Sequence, residues 1–165
     1  MKISKYLVLL VMFLCVSSIS HADIDWNTKD IQWNSYEGGL GKLKANNEIG
    51  LIILYADWCS VCKQYSKLFS SEKVVSALKD ITVIKANAEK EVQVKHLKEY
   101  DEKYVPKTII IDSSGNVVTE LYGEKEDYMF FRPADDLGAL LDIIKVIKEE
   151  NVKRKSLKPN ELLNE

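Results

Sequence analysis

Cys59 and Cys62 stand two residues apart in ADWCSVCKQ, residues 56–64, directly after the apolar run LIILY. Thiols at this spacing hold a metal, close a structural disulfide, or cycle between dithiol and disulfide. Zinc asks for a full tetrahedral ligand set, and the histidines on offer are His21 and His96, so a zinc clip is a poor fit and no metal ligand is assigned. Thiolates also suit Cu(I), but no histidine or methionine stands near the pair to complete a copper site. A disulfide between them closes a very short loop, removes little chain entropy and makes a weak staple. Cycling needs one exposed, easily ionised thiol to attack a disulfide and a second to release the product. A helix N-terminus favours that ionisation, because its first N–H groups lack partners and its dipole stabilises negative charge.

The third cysteine, Cys15, lies in an N-terminal segment of a different kind. Lys2 and Lys5 precede an apolar run from Tyr6 to Val16, and small and polar residues follow, with Ser20 and Ala22 spaced as in a cleavage site. This reads as a secretory signal peptide over residues 1–22. The apolar run is shorter than the ~20 residues a membrane span needs, which argues against an uncleaved anchor. Leu14 is too bulky for the position before a lipid-modified cysteine. Removal of the segment would take the formal charge from −2 to −4 and leave Cys59 and Cys62 as the remaining thiols. The expected location is periplasmic or secreted, where a lone pair can stay oxidised.

With 165 residues and 23 basic against 25 acidic side chains, the chain has room for one ordinary domain and carries no basic patch. Nucleic acid is therefore not an expected partner. Leu51 to Tyr55 has the length and composition of a strand buried on both faces. A short strand is expected around Ile31–Trp33, and a helix capped by Ser35 from Tyr36 to about Asn46, although Gly38, Gly39 and Gly41 weaken it. Helical pieces follow over Lys63–Phe69 and Ser71–Leu78, then a strand over Ile81–Ala86 and a helix over Val92–Tyr100. Thr108–Ile111 and Val117–Tyr122 read as a hairpin about the turn 112–116. Leu137, Leu140, Leu141, Ile144 and Ile147 recur at helical spacing within Asp135–Glu149. The lysine-rich residues 151–165 read as a polar mobile tail, which leaves 23–150 as the folded domain. Strands alternating with helices predict an α/β fold, a central mixed sheet with helices on both faces.

A CxxC at a strand-to-helix junction in that setting reads as a thioredoxin-like redox motif. YADWCSVCK, the later VPKT and IIIDSSGNVV resemble the thioredoxin superfamily. YADWCxxCK, the residues Phe69 to Val74 and KANAE are similar to the C-terminal domain of the disulfide reductase DsbD, and the IIIDSSGNVV hairpin resembles cytochrome c maturation thioredoxins. The resemblance covers about Ile31 to Ile147. It implies that Cys59 attacks and Cys62 resolves, with no cofactor beyond the redox-active disulfide Cys59–Cys62. It implies that Trp58 packs on the active-site loop, with plain core packing as the alternative. It also implies a cis Val105–Pro106 bond facing the CxxC, with the Val105 backbone pairing with an extended client.

Three positions depart from the family pattern. Ile53 stands six residues before Cys59, where reductases commonly carry a buried carboxylate. Ser66 replaces a second acid of the DsbD domain, and Lys107 follows Pro106 where threonine is common. Lys85 matches the lysine that partners the missing acid; without that acid it would make the field at the thiols more positive, or else reach solvent. Asp57, two residues before Cys59, is a substitute acid only if buried, and a loop position argues for exposure. Lys107 is either a cation beside the client groove or a solvated lysine. Residues 124–132, EKEDYMFFR, are either a client-facing lip or packing that leads into the last helix.

The expectation is thus an exported thiol–disulfide oxidoreductase. It would reduce disulfides of exported proteins, or act on apocytochrome c thiols, with electrons from a membrane donor. The same residues would serve an oxidase or isomerase, and less readily a Cu(I)-binding module. The short stretch between the CxxC helix and Pro106 leaves no room for the helical insertion of DsbA-type oxidases.

Overall fold

Gly50 to Tyr55 forms the middle strand, β1, of a three-stranded sheet. The computed structural model describes residues 23–100, 104–122 and 130–156. The signal peptide expectation for 1–22, residues 157–165 of the expected tail, and 123–129, which include most of EKEDYMFFR, lie outside the described residues. β2 (Val83–Asn87) lies parallel to β1, with Ile53 opposite Lys85 and Tyr55 opposite Asn87. β3 (Lys107–Ile111) lies antiparallel on the other side, with Thr108 opposite Ile53. The sheet is mixed, as expected.

Five α-helices cover it among the described residues: α1 (Tyr36–Asn46), α2 (Ser60–Tyr65), α3 (Glu72–Leu78), α4 (Lys95–Glu99) and α5 (Leu137–Ser156). Because strand side chains alternate, each strand feeds two cores. Leu51, Ile53, Val83 and Ile110 meet α2, α3 and α5 through Cys62, Tyr65, Val74, Leu78, Leu140, Ile144 and Ile147. Ile52, Leu54, Ile84, Ile109 and Ile111 meet α1 and α4 through Tyr36, Leu43 and Leu97. The glycines of α1 have a steric role. A Cβ at Gly39 would collide with the Ile84 side chain, so glycine lets the helix sit close on β2. Ser35 caps α1 by accepting from the Gly38 amide.

Several elements differ from the sequence expectation. The strand expected at Ile31–Trp33 is reduced to a bridge between Asn34 and Ile84, because Trp26, Ile31 and Trp33 instead pack sideways onto Phe69 and Tyr55. The hairpin partner of β3 is a bridge between Val117 and Ile111, after which Thr119–Tyr122 turns into a 3-10 helix. The outer edge of β3 is satisfied differently. The Tyr122 hydroxyl donates to the Thr108 carbonyl at 3.0 Å and accepts from the Ile110 amide, and the Thr108 amide donates to the Phe130 carbonyl at 2.8 Å. The turn itself forms as expected, with Gly115 at φ 83 and Asp112 accepting from the Ser114 and Asn116 amides.

The boundary of the expected tail at Asn151 is corrected. α5 runs on to Ser156, and Asn151 is buried. Its side chain accepts from the Ile49 amide at 2.8 Å and donates to the Ile49 carbonyl at 3.0 Å, pinning the last helix to the entry of β1. Lys155 pairs with the buried Glu48 at 2.6 Å. No helix among the described residues is long and apolar enough to cross a membrane.

Candidate redox site

β1 ends at Tyr55, and the chain makes one turn before α2 begins at Ser60. Cys59 is the N-cap of that helix: its backbone is extended, and its sulfur accepts from the Cys62 amide at 3.0 Å. An N-cap serine or aspartate supplies an oxygen at this point; here a sulfur takes the same donor. Cys59 and Cys62 are joined in a disulfide with their Cα atoms 5.2 Å apart. Cys62, one turn into the helix, is fully enclosed, whereas 3% of Cys59 reaches the surface. Of the two, Cys59 is the one with any surface exposure.

The Val105–Pro106 peptide is cis and lies against this pair. The Val105 carbonyl oxygen is 3.6 Å from the Cys59 sulfur, near enough to accept from the thiol once it is reduced. Tyr104 and Val105 are half-buried and Pro106 is buried.

Trp58 is 67% exposed, which overturns the core-packing alternative for it. Its backbone continues the turn, but its ring stands out beside the disulfide, with Val61 also exposed on the first turn of α2. The tryptophans that do build core are Trp26, buried at ring distances of 5.2 Å from Tyr55 and 5.7 Å from Phe69, and Trp33, edge-on to Trp26.

Asp57 is partly exposed and committed to the turn. It accepts from the Asn87 side chain at 2.9 Å and pairs with Lys90 at 2.6 Å. Asn87 in turn accepts from the Glu89 amide, and its own amide donates to Glu91. Asp57 thus ties the CxxC entry to the end of β2. Ile53 is enclosed in the core below Cys62, and Lys85, its cross-strand partner, is half-buried. Among the described residues, Lys85 makes no hydrogen bond or ion pair. Ser66 is buried and its hydroxyl donates back to the Lys63 carbonyl at 3.2 Å.

The core that encloses Cys62 carries hydroxyls near Ile53. Tyr65 and Thr108 share a hydrogen bond of 2.7 Å, and Thr108 is the β3 neighbour of Ile53. Burial pushes the Tyr65 phenol up to about 12, against a smaller opposing effect of its bond to Thr108. Burial also raises Tyr122 well above its ordinary value. Both phenols hold their protons at ordinary pH. Among the described residues, no three His, Cys, Asp or Glu side chains converge as a metal set.

Both sequence alternatives for Lys107 are overturned. It is 0% exposed, neither solvated nor a groove cation. Its ammonium donates to the carbonyls of Lys98 at 2.9 Å, Leu97 at 3.4 Å and Tyr100, and lies 4.9 Å from the Tyr104 ring centroid. The signal for this was in the strand: Lys107, Ile109 and Ile111 alternate onto one face, and that face meets a core. Phe130, from the unplaced aromatic stretch, is buried in the same core, and its amide donates to the Tyr104 hydroxyl at 3.1 Å. This favours packing over a client-facing lip for that residue.

Comparison with known proteins agrees with this architecture. A family model described as Thioredoxin matches residues 32–133. Anterior gradient protein 2 of Xenopus laevis is 30% identical over 127 residues, which cover 76% of this chain and 68% of that protein. Among solved structures, a thioredoxin from Thermus thermophilus is similar with a TM-score of 0.53 at 15% identity, over 72% of this chain and 88% of that one. The oxidoreductase DsbH is similar with a TM-score of 0.50 at 15% identity, over 77% and 86%. At these identities the two structures speak for the fold.

Proposed function

From the premise that this chain belongs to the thioredoxin family and is a thiol–disulfide oxidoreductase, we propose that it is exported and reduces disulfides of exported proteins with electrons from a membrane donor. The observation that carries the chemistry is the Cys59 sulfur at the start of α2, receiving the Cys62 amide at 3.0 Å. In the reduced protein that donor and the helix start stabilise the Cys59 thiolate. The thiolate attacks one sulfur of a client disulfide, which expels the other as a thiolate that takes up a proton. Cys62 then loses its proton and attacks Cys59, releasing the second client thiol and restoring the Cys59–Cys62 disulfide. Two electrons pass from the protein to the client in each cycle.

Val105 presents its backbone beside Cys59, so an extended client segment can pair there as a short added strand while its sulfur meets Cys59. Trp58 and Val61 offer apolar surface to the same segment. Asp57 holds the turn through Asn87 and Lys90. Export rests on the N-terminal segment 1–22, and the reducing direction on the likeness of YADWCxxCK to the DsbD domain. Apocytochrome c is one client class compatible with this reading.

Ile53 supports a second reading. With Ile53 rather than a carboxylate in the core with Cys62, and Lys85 on the same face, the thiolate form gains relative to the disulfide, which suits an oxidase or isomerase. The two directions separate in one experiment. Reduced protein is offered a peptide disulfide, and oxidised protein the corresponding peptide dithiol. A reductase reacts to near completion in the first case and stalls in the second; the reverse pattern establishes an oxidant.

A further inference from the structure

A fully buried ammonium with carbonyl acceptors is an unusual component of a strand, and Lys107 follows Pro106 directly. Burial of a charge is costly unless hydrogen bonds compensate it, so the acceptors around Lys107 are part of its function in the fold. Those acceptors are the carbonyls of Leu97, Lys98 and Tyr100, at the C-terminal end of α4, where helix carbonyls lack partners and the dipole favours a cation. On the other side, the Tyr104 ring lies under the ammonium, and the Tyr104 hydroxyl takes the Phe130 amide. Residues 104–107 are thereby fixed at both ends: Tyr104 to the Phe130 segment, and Lys107 to α4. Between them lies Val105, whose carbonyl is 3.6 Å from the Cys59 sulfur.

We propose that Lys107 is a positioning residue for client binding: by clamping the end of α4 it holds the Val105 backbone at the height where an extended client pairs beside Cys59. The proposal rests on the oxidoreductase reading and on client pairing at Val105. Lys107 faces the core of α1 and α4, whereas Cys62 and Tyr65 face the opposite core. Its side chain does not touch the thiol pair, and its effect runs through the Val105 backbone, on client docking first.

The test uses the mature protein and two oxidised substrates. One is a disulfide-linked peptide long enough to pair with Val105; the other is hydroxyethyl disulfide, which has no backbone to pair. Lys107→Met is expected to raise KM for the peptide about ten-fold, as loss of a charge-assisted anchor implies, with kcat and the hydroxyethyl disulfide rate within about two-fold of wild type. Lys107→Arg, which keeps charge and donors, restores part of the peptide KM. Circular dichroism checks folding; if the methionine variant does not fold, Lys107→Gln, which still donates to the carbonyls, carries the same expected split to a smaller degree. Equal losses on both substrates, or an unchanged peptide KM in a folded variant, overturn the proposal. A wild-type protein inert toward both substrates removes the oxidoreductase reading as well.

Discussion

The main-chain amide of Cys62 points at the sulfur of Cys59 from 3.0 Å, so in the proposed cycle the residue that resolves the reaction would also stabilise the anion that begins it. A thiol held at a helix start in this way ionises more readily than a free one, because the N–H donor and the helix dipole favour the thiolate. In a Cys62→Ser variant, alkylation of Cys59 by iodoacetamide should show such a lowered apparent pKa, and the variant should accumulate a mixed disulfide with a client peptide. Half-maximal alkylation near pH 8.5 would contradict the role given to the Cys62 amide.

Trp58 and Trp26 should respond oppositely to truncation. Trp26 is buried among Tyr55, Phe69 and Trp33, so Trp26→Ala is expected to cost about 3–5 kcal/mol in urea unfolding. Trp58→Ala should change stability by no more than about 0.5 kcal/mol, because the ring is exposed, while raising KM for a peptide disulfide. A large stability loss at Trp58 would show that the ring packs.

The part of the fold legible in the sequence was the part written by local pattern. Leu51–Tyr55 is a strand because its apolar run is long enough and buried on both faces, and Ser35 caps α1 as its type and place predict. The CxxC falls at the strand-to-helix junction for the same reason. What was not legible depends on partners far along the chain. Val117–Tyr122 has strand composition, but the Tyr122 hydroxyl occupies the edge of β3 that a partner strand would take. Lys107 looks like a surface residue until the carbonyls of α4 are placed beside it. Asn151 looks like a helix stop until Ile49 is seen to use both ends of its amide. Trp58 and Trp26 are alike in type, and only the packed structure tells which of them is core.

Asn151 therefore gives a sharp stability prediction. Asn151→Ala leaves the buried Ile49 amide and carbonyl without partners and should cost about 2–4 kcal/mol. Val152→Ala, the next residue and 68% exposed, should stay within about 0.5 kcal/mol. Equal urea midpoints for the two variants would remove the assigned pin between α5 and β1.

Tyr65 sets a pH limit on stability. Its pKa rises from 10.0 to about 12 on folding because burial disfavours the phenolate. The folded state therefore holds the proton more tightly, so the contribution is complete below about pH 10 and is lost as pH rises toward about 12. A shift of this size corresponds to roughly 2–3 kcal/mol. Urea midpoints of the oxidised protein should fall across that window, and Tyr65→Phe should flatten the fall, leaving the share of Tyr122. An identical alkaline slope in the variant would contradict this origin.

Whether Cys59–Cys62 is a working redox couple is decided by its reduction potential against glutathione buffers. Reversible two-electron titration is expected between about −270 mV, the thioredoxin-like end that suits a reductase, and about −120 mV, the end of a strong oxidant. A pair that does not exchange with glutathione, or a potential below about −300 mV as in structural disulfides, would contradict it.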